Sequence, residues 1–217
     1  MEKFKDLFYE QIARIGKVFS NPKRLELLDL LCQGEKSVDV VAKQAHISIK
    51  LASFHLQELK DSTLIEARKE GKYVFYKVTD ETVALFYSEL KLLAERKLIS
   101  NQKTLSNYLN SNENVLPVDK KTLIRKARKG EIIVIDLRPR NEYISGHIPF
   151  ARSIPINELE KKLKGLPKDK DIVAYCRGPA CVWSHEALVM LKSNGYNAFR
   201  LRDSIIDWQA EGLPVKR

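Results

Sequence analysis

Cysteine is scarce, with three residues (Cys32, Cys176 and Cys181) among 217. So few thiols, so unevenly spaced, build no disulfide scaffold and imply a reducing compartment. Long hydrophobic runs are missing, and nothing approaches the roughly 20 apolar residues that span a bilayer. The opening MEKFKDLFYEQIARIGKVF mixes charge into its apolar positions, unlike a secretory signal. Internal repeats are also absent, since the two halves differ in periodicity. A soluble, cytoplasmic protein without a membrane partner is expected. What remains is a chain with 44% hydrophobic and 30% charged residues, a composition that buries a core and has room for two ordinary domains.

The formal net charge is +10, which favours polyanionic partners, but its distribution matters more than its sum. Residues 1–110 carry 18 basic and 15 acidic side chains, residues 111–217 carry 20 and 13. A dense tract (Lys120, Lys121, Arg125, Lys126, Arg128, Lys129) opens the second half. Bulk charge alone therefore does not make the first half a nucleic-acid binder.

The first half reads as helical. Phe4, Leu7, Phe8, Ile12, Ile15, Val18 and Phe19 recur at helical steps, and Asn21-Pro22 restarts the chain. A leucine-rich helix follows until Gly34. Val38 to Ala45 forms a short helix capped by Ser37, His46-Ile47-Ser48 breaks it, and Leu51, Ala52, Leu56 and Leu59 stripe the next one. LIEARKEGKYVFYKV is a hairpin around Lys69 to Lys72, and Val83 to Leu98 returns to helix. Two short helices with a three-residue break and a hairpin make a winged helix-turn-helix pattern. Its second helix, about Ser48 to Lys60, would present Ser48, Lys50, Ser53, Phe54 and Gln57, together with Ile49, to the major groove. The hairpin tip offers Arg68, Lys69 and Lys72 to phosphate or the minor groove. The same residues also suit a solvated face on a protein-interaction module.

The residues NPKRLELLDLL and SVDVVAKQAHISIKLASFHLQELKDSTLIEARKEGKYVFYKV closely resemble the ArsR-type bacterial repressors over about residues 8–98. The resemblance implies a homodimer, paired through its first and last helices, reading a palindromic site on double-stranded DNA. Metal-sensing members carry a Cys-x-Cys box where this chain has Ser37-Val38-Asp39-Val40. Others use Asp and His on the last helix, and Asp80 to Leu98 has no His. Zinc needs about four converging donors, so no metal and no cofactor are expected. Cys32, on the leucine-rich helix, reads as a small buried hydrophobe.

The second half alternates short apolar runs (132–135, 172–175, 198–201) with helical stretches (156–163, 184–194), the pattern of a parallel α/β sheet. Ile172 to Ser184 is strand, loop and helix start, IVAYCRGPACVWS. Cys176 at the strand end sits where backbone N–H groups and a helix N-terminus would lower a thiol pKa and stabilise a persulfide. Arg177 adds positive charge, and Cys181 is five positions away, near enough for a disulfide if the loop turns back. Read alone, the spacing favours two ordinary cysteines in a turn.

The stretch DLRPRNEYISGHIPFARSIPINELEKKLKGLPKDKDIVAYCRG and the closing DWQAEGLPV resemble a single rhodanese domain over about residues 117–217. The resemblance implies that Cys176 carries sulfane sulfur and that Asp136, Arg138 and His147 are architectural, with Arg138 pairing Glu142. Three departures stand out. Val182 replaces the arginine of a C-x5-R anion loop, which argues against phosphatase or arsenate-reductase chemistry. Asp203-Ser204 replaces paired glycines, and Phe150 replaces a glycine. These bear on turnover more than on holding sulfur.

The fold class expected is two domains: a mainly α winged helix-turn-helix with a β-hairpin wing (1–105), a linker (106–116), and an α/β rhodanese-like parallel sheet (117–217). The fusion resembles known ArsR–rhodanese fusions. A DNA-binding repressor with a sulfur- or redox-sensing cysteine, served by a sulfane-sulfur donor, is the leading function. A sulfurtransferase that uses the winged helix to dimerise is the enzymatic alternative, and an interaction module lacking both activities is the third.

Overall fold

The structure, a computed structural model, describes residues 2–103 and 119–217. The linker expected at 106–116 lies outside the described residues. Two compact units, Met1–Tyr87 and Ser88–Arg217, divide the chain.

The first unit runs α1 (Glu2–Phe19), α2 (Pro22–Cys32), β1 (Lys36–Ser37), α3 (Val38–Gln44), α4 (Ile49–Asp61), β2 (Ile65–Glu70), β3 (Tyr73–Val78) and the start of α5 (Glu81–Lys97). Each helix start has a local cause. Asn21 Oδ1 accepts from the N–H groups of Lys23 and Arg24, at 2.9 and 3.1 Å, and Pro22 opens α2. Ser37 and Ser48 cap α3 and α4 through Val40 N and Leu51 N. His46, at φ 52°, breaks the chain between α3 and α4. Glu70 pairs with Tyr73, leaving Gly71-Lys72 as a two-residue turn with Gly71 at φ 59°. β1 then adds to the outer edge of β3.

The core of this unit gathers Leu27, Leu28, Leu31, Val41, Leu56 and Leu59. On α4 the buried stripe is Ala52, His55, Leu56 and Leu59, one helical face at steps of three and four. Leu51, expected inside, lies at the margin of that face and is 41% exposed. His55 fills the place instead. α1 leaves Phe4, Leu7, Phe8 and Ile12 exposed, and Phe86 and Leu93 of α5 are exposed as well.

The second unit continues with α6 (Lys120–Arg128), β4 (Ile132–Asp136), α7 (Arg140–Ser145), β5 (Arg152–Ser153), α8 (Ile156–Lys162), β6 (Asp171–Tyr175), α9 (Val182–Ser193), β7 (Ala198–Arg200) and α10 (Ile205–Ala210). All four strands are parallel in the order β5-β4-β6-β7. The dense basic tract is α6, started by Asp119 accepting from Thr122 N at 2.9 Å and anchored by buried Leu123. Continuous apolar runs in β4 and β6 follow from burial on both faces of a central strand.

Asp136 and Arg138, both fully buried, join through Nη2 and Oδ2 at 2.6 Å. Arg138 also donates to Gly146 O at 2.7 Å. Tyr175 donates its hydroxyl to Asp136 at 2.5 Å and accepts from Ile148 N at 3.1 Å. His147 stacks on Tyr143 at 3.7 Å, with Nδ1 2.9 Å from Tyr143 O. These groups tie β4, β6 and the 146–149 turn together.

Two predictions come from these packed polar groups. Arg138→Ala strands a buried carboxylate, so it should destabilise the second unit by roughly 3–5 kcal/mol; urea unfolding followed by tryptophan fluorescence reads that unit, because Trp183 and Trp208 both belong to it. Burial holds the His55 imidazole below its ordinary value, aided by the nearby Arg24 charge. The folded unit therefore binds fewer protons than the unfolded chain, and stability should fall as pH drops through about 6.5. A first-unit urea midpoint that declines less in His55→Gln than in the parent would bear this out; equal declines would assign the effect elsewhere.

Candidate functional site

Two surfaces carry chemistry, one in each unit. On α4, Ser48, Lys50, Ser53, Phe54 and Gln57 are all exposed, together with Ile49. They share one side because the opposite stripe is spent on the core. Ser48 is both cap and surface residue, and Gln57 donates to Asp61 at 2.6 Å. Phe54 is 57% exposed, an apolar patch of the kind that meets thymine methyls.

The wing is less uniform than the sequence implies. Lys69 and Lys72 stand in solvent at the hairpin tip. Arg68 is held instead by Glu35, through two contacts of 2.7 Å, and by Glu70, and it lies over the Phe75 ring. Its charge is already matched within the fold. Glu35 is the partner that spacing along the sequence did not reveal, being 33 residues distant.

In the second unit, residues 176–181 form the loop from β6 into α9. Gly178 takes φ 117°, a conformation open to glycine and strained for any side chain. Cys181 N donates to Gly178 O at 3.2 Å, and Arg200 Nη2 braces the loop at Pro179 O, 2.6 Å away. This turn folds the chain back on itself and sets the two sulfur atoms 2.8 Å apart.

The two thiols are not equivalent, and their order differs from expectation. Cys176 is 1% exposed and packs in the apolar cluster with Ile135, Ala174 and Leu188. Burial pushes its thiol well up, so the lowered pKa expected there is reversed. Cys181 is partly exposed and stands at the N-cap position of α9 without a side-chain capping hydrogen bond. Hydrogen bonding from Cys176 and from the N–H groups of Arg177 and Trp183 brings its thiol down to about 6. The Arg177 N–H favours both thiolates, and the Trp183 N–H favours that of Cys181 alone. The difference follows burial: the residue at the strand end points into the sheet's core, whereas Cys181 at the helix start is partly exposed.

Arg177 binds the fully buried Glu142 through contacts of 3.0 and 2.5 Å and stacks over Trp183. Glu142, named from the sequence only as a partner for Arg138, here holds Arg177, and Trp183 is a site neighbour that sequence reasoning missed; neither contact has a spacing signal. Asp136, Arg138 and His147 belong to the scaffold described above. The departures from the rhodanese pattern also acquire roles. Ser204 caps α10 in a reciprocal box with Asp207, and Asp203 takes Lys120 at 2.6 Å. Phe150 holds φ 68° where a glycine would be relaxed. Among the described residues no group of three or more His, Cys, Asp or Glu is placed to hold a metal ion, and no helix is long and apolar enough to cross a membrane.

A winged helix-turn-helix followed by a parallel-sheet, rhodanese-like unit defines the class. The bacterial regulatory protein arsR family matches residues 21–67, and the rhodanese-like domain family matches residues 119–211. The HTH-type transcriptional regulator Rv0324 of Mycobacterium tuberculosis is 39% identical over 206 residues, covering 95% of this chain and 90% of that protein. A sulfurtransferase of Allochromatium vinosum is 35% identical over 92 residues, 42% of this chain and 84% of its own length. The solution structure of a homodimeric winged helix-turn-helix DNA-binding domain from Mycobacterium bovis is 37% identical, covers 45% of this chain and 91% of that one, and has a TM-score of 0.42. This chain belongs to the ArsR family of transcriptional regulators and carries a rhodanese-like domain.

The inequality of the two thiols is testable. Alkylation of Cys181 by iodoacetamide should show a midpoint near pH 6, while Cys176 should react far more slowly throughout. Peptide mapping after timed quenching separates the sites, and a faster Cys176 would refute the assignment.

Proposed function

We propose that this regulator is a dimeric repressor whose operator affinity responds to the chemical state of the Cys176–Cys181 pair. The observation that carries the reading is the thiol pair itself, two free sulfurs 2.8 Å apart in a braced loop, in a chain that also presents a recognition face. The exposed apolar rows of α1 and α5 support dimerisation, and a two-fold dimer would set two α4 helices about one DNA turn apart on a palindrome. In this reading Lys50, Ser53, Phe54 and Gln57 meet base edges and Ser48 the backbone, while Lys69 and Lys72 neutralise phosphate. Arg68 shapes the wing through Glu35. The physiological signal is a sulfane-sulfur donor or an oxidant of thiols, and Arg177 stabilises the developing anion. Useful regulation needs modification to shift operator binding by about 1–3 kcal/mol.

The sulfurtransferase reading draws on the Allochromatium vinosum relative, which carries that name. Burial of Cys176 argues against rapid delivery of sulfur to an acceptor. Steady turnover of thiosulfate with cyanide, lost in Cys176→Ser, would favour the enzyme over the sensor.

For DNA, Lys50→Ala combined with Ser53→Ala should weaken operator binding at fixed salt by roughly tenfold or more. Lys69→Ala combined with Lys72→Ala should weaken binding to all sequences and reduce the salt slope by about 2. Fluorescence anisotropy across a salt series reads both. Unchanged affinity in the first variant, or altered sequence preference alone in the second, would contradict these roles.

A further inference from the structure

We infer that the basic face of α6 is a second DNA-contacting surface, one that holds duplex phosphates without reading sequence. The inference needs the membership of this chain in a family of transcriptional regulators. It needs neither the thiol reading nor the residues assigned to base edges. The second half of the chain holds 20 basic against 13 acidic side chains, and the tract that forms α6 is the densest part of that excess. Nothing in the thiol loop uses it.

Three features point to phosphate. Lys121, Arg125 and Arg128 recur at steps of four and three along a helix of 9 residues, so they share one side of it, opposite the buried Leu123. All three are exposed, and their side chains make no ion pair among the described residues. The fold uses the ends of the tract instead: Lys120 is taken by Asp203 and Glu211, and Lys129 lies 3.7 Å from Glu131. The second feature is the single sign. A face that merely keeps a helix in water mixes charges, as Glu158 and Lys162 do on α8, 2.8 Å apart. No acidic residue lies on α6. Lys121 and Arg125, and again Arg125 and Arg128, are therefore like-charged neighbours, an arrangement that costs a helix stability and that a polyanion relieves. Third, no large apolar side chain between residues 119 and 131 is exposed. The face lacks both the anchor found at the centre of a protein interface and the apolar side of a membrane-bound helix.

Lys170 enlarges the face. Gly130 follows the helix at φ 68°, and Lys170 Nζ lies 3.8 Å from the position that a Cβ on Gly130 would take. Asp171, the next residue, opens β6 opposite Ile132 of β4. This end of α6 is therefore at the amino edge of the parallel sheet, whereas Cys176 leaves β6 at the carboxyl edge. Cations and thiols occupy opposite edges, so each can be altered without touching the other. Duplex DNA presents one phosphate charge per about 1.7 Å of its axis. Attachment to a winged helix-turn-helix of a DNA-binding family raises the local concentration of duplex around this face. Three cations that neutralise phosphate release about three counterions per protomer. Affinity then rises for every sequence and its salt dependence steepens, while discrimination stays with base contacts.

The test follows the anisotropy of a labelled random-sequence DNA duplex with the full-length protein across a salt series. Lys121→Gln, Arg125→Gln and Arg128→Gln combined keep good helix formers on α6. They should lower the salt slope by about 3 per protomer and the affinity by about tenfold or more at about 0.1 M salt. A control of Arg140→Gln, Lys216→Gln and Arg217→Gln removes the same charge from exposed positions elsewhere in the unit and should leave the slope within about 1 of the parent. Tryptophan fluorescence in urea checks that the second unit stays folded. Arg125→Gln alone should lower the slope by about 1, and it decides the matter if the triple variant unfolds. An unchanged slope in the folded variant, an equal fall in the control, or preference for a matched RNA duplex overturns the inference. Lys50→Ala with Ser53→Ala separates the two readings, because on random-sequence DNA it should keep the part of the slope that α6 supplies. Operator preference that never appears ends the operator assignment and leaves this inference standing; a slope indifferent to α6 does the reverse.

Discussion

Parallel pairing of β6 between β4 and β7 is the constraint on which the second unit depends. In a parallel sheet each strand must leave at the same edge, so the loop after β6 is forced to the carboxyl end before α9 can return. That one requirement delivers Cys176 at the end of a buried strand and Cys181 at the beginning of a helix. Two residues five positions apart then differ in burial, in amide contacts and in acidity. The fully buried Asp136–Arg138 pair, with the Tyr175 hydroxyl, holds the sheet edge from which the loop departs.

The first unit solves a different problem with the same economy. Its helix α4 needs one face for the core and one for a partner, and the stripe of Ala52, His55, Leu56 and Leu59 takes the first. What is left over is an exposed face of Lys50, Ser53, Phe54 and Gln57, with Ile49 beside them, which the proposed function assigns to DNA. The exposed apolar rows of α1 and α5 would be a liability on a lone unit, and under the proposed dimer a second copy covers them.

Much of this was legible beforehand. The restart at Asn21-Pro22, the cap at Ser37, the break at His46-Ile47-Ser48 and the hairpin around Lys69 to Lys72 follow from local rules, and the elements fell where those rules put them. The outward residues of α4 followed from helical periodicity. Two of the misreadings needed partners far along the chain, and the third concerned a core residue only four positions away. Arg68 looked free because Glu35 is distant in sequence; Leu51 looked buried because His55 was not recognised as a core residue. The thiol order was read wrongly because acidity depends on what surrounds a sulfur, and the cluster around Cys176 comes from several separate elements.

By itself, the sequence settled the ArsR and rhodanese relationships, the outward face of α4 and the presence of a thiol pair, because periodicity, capping and motif spacing act over a few residues. Only tertiary structure decided which cation of the wing is already spoken for, which partner Arg177 holds, and which of the two cysteines meets solvent. Those outcomes depend on burial and on charges brought together through space, and neither is a property of neighbours along a chain.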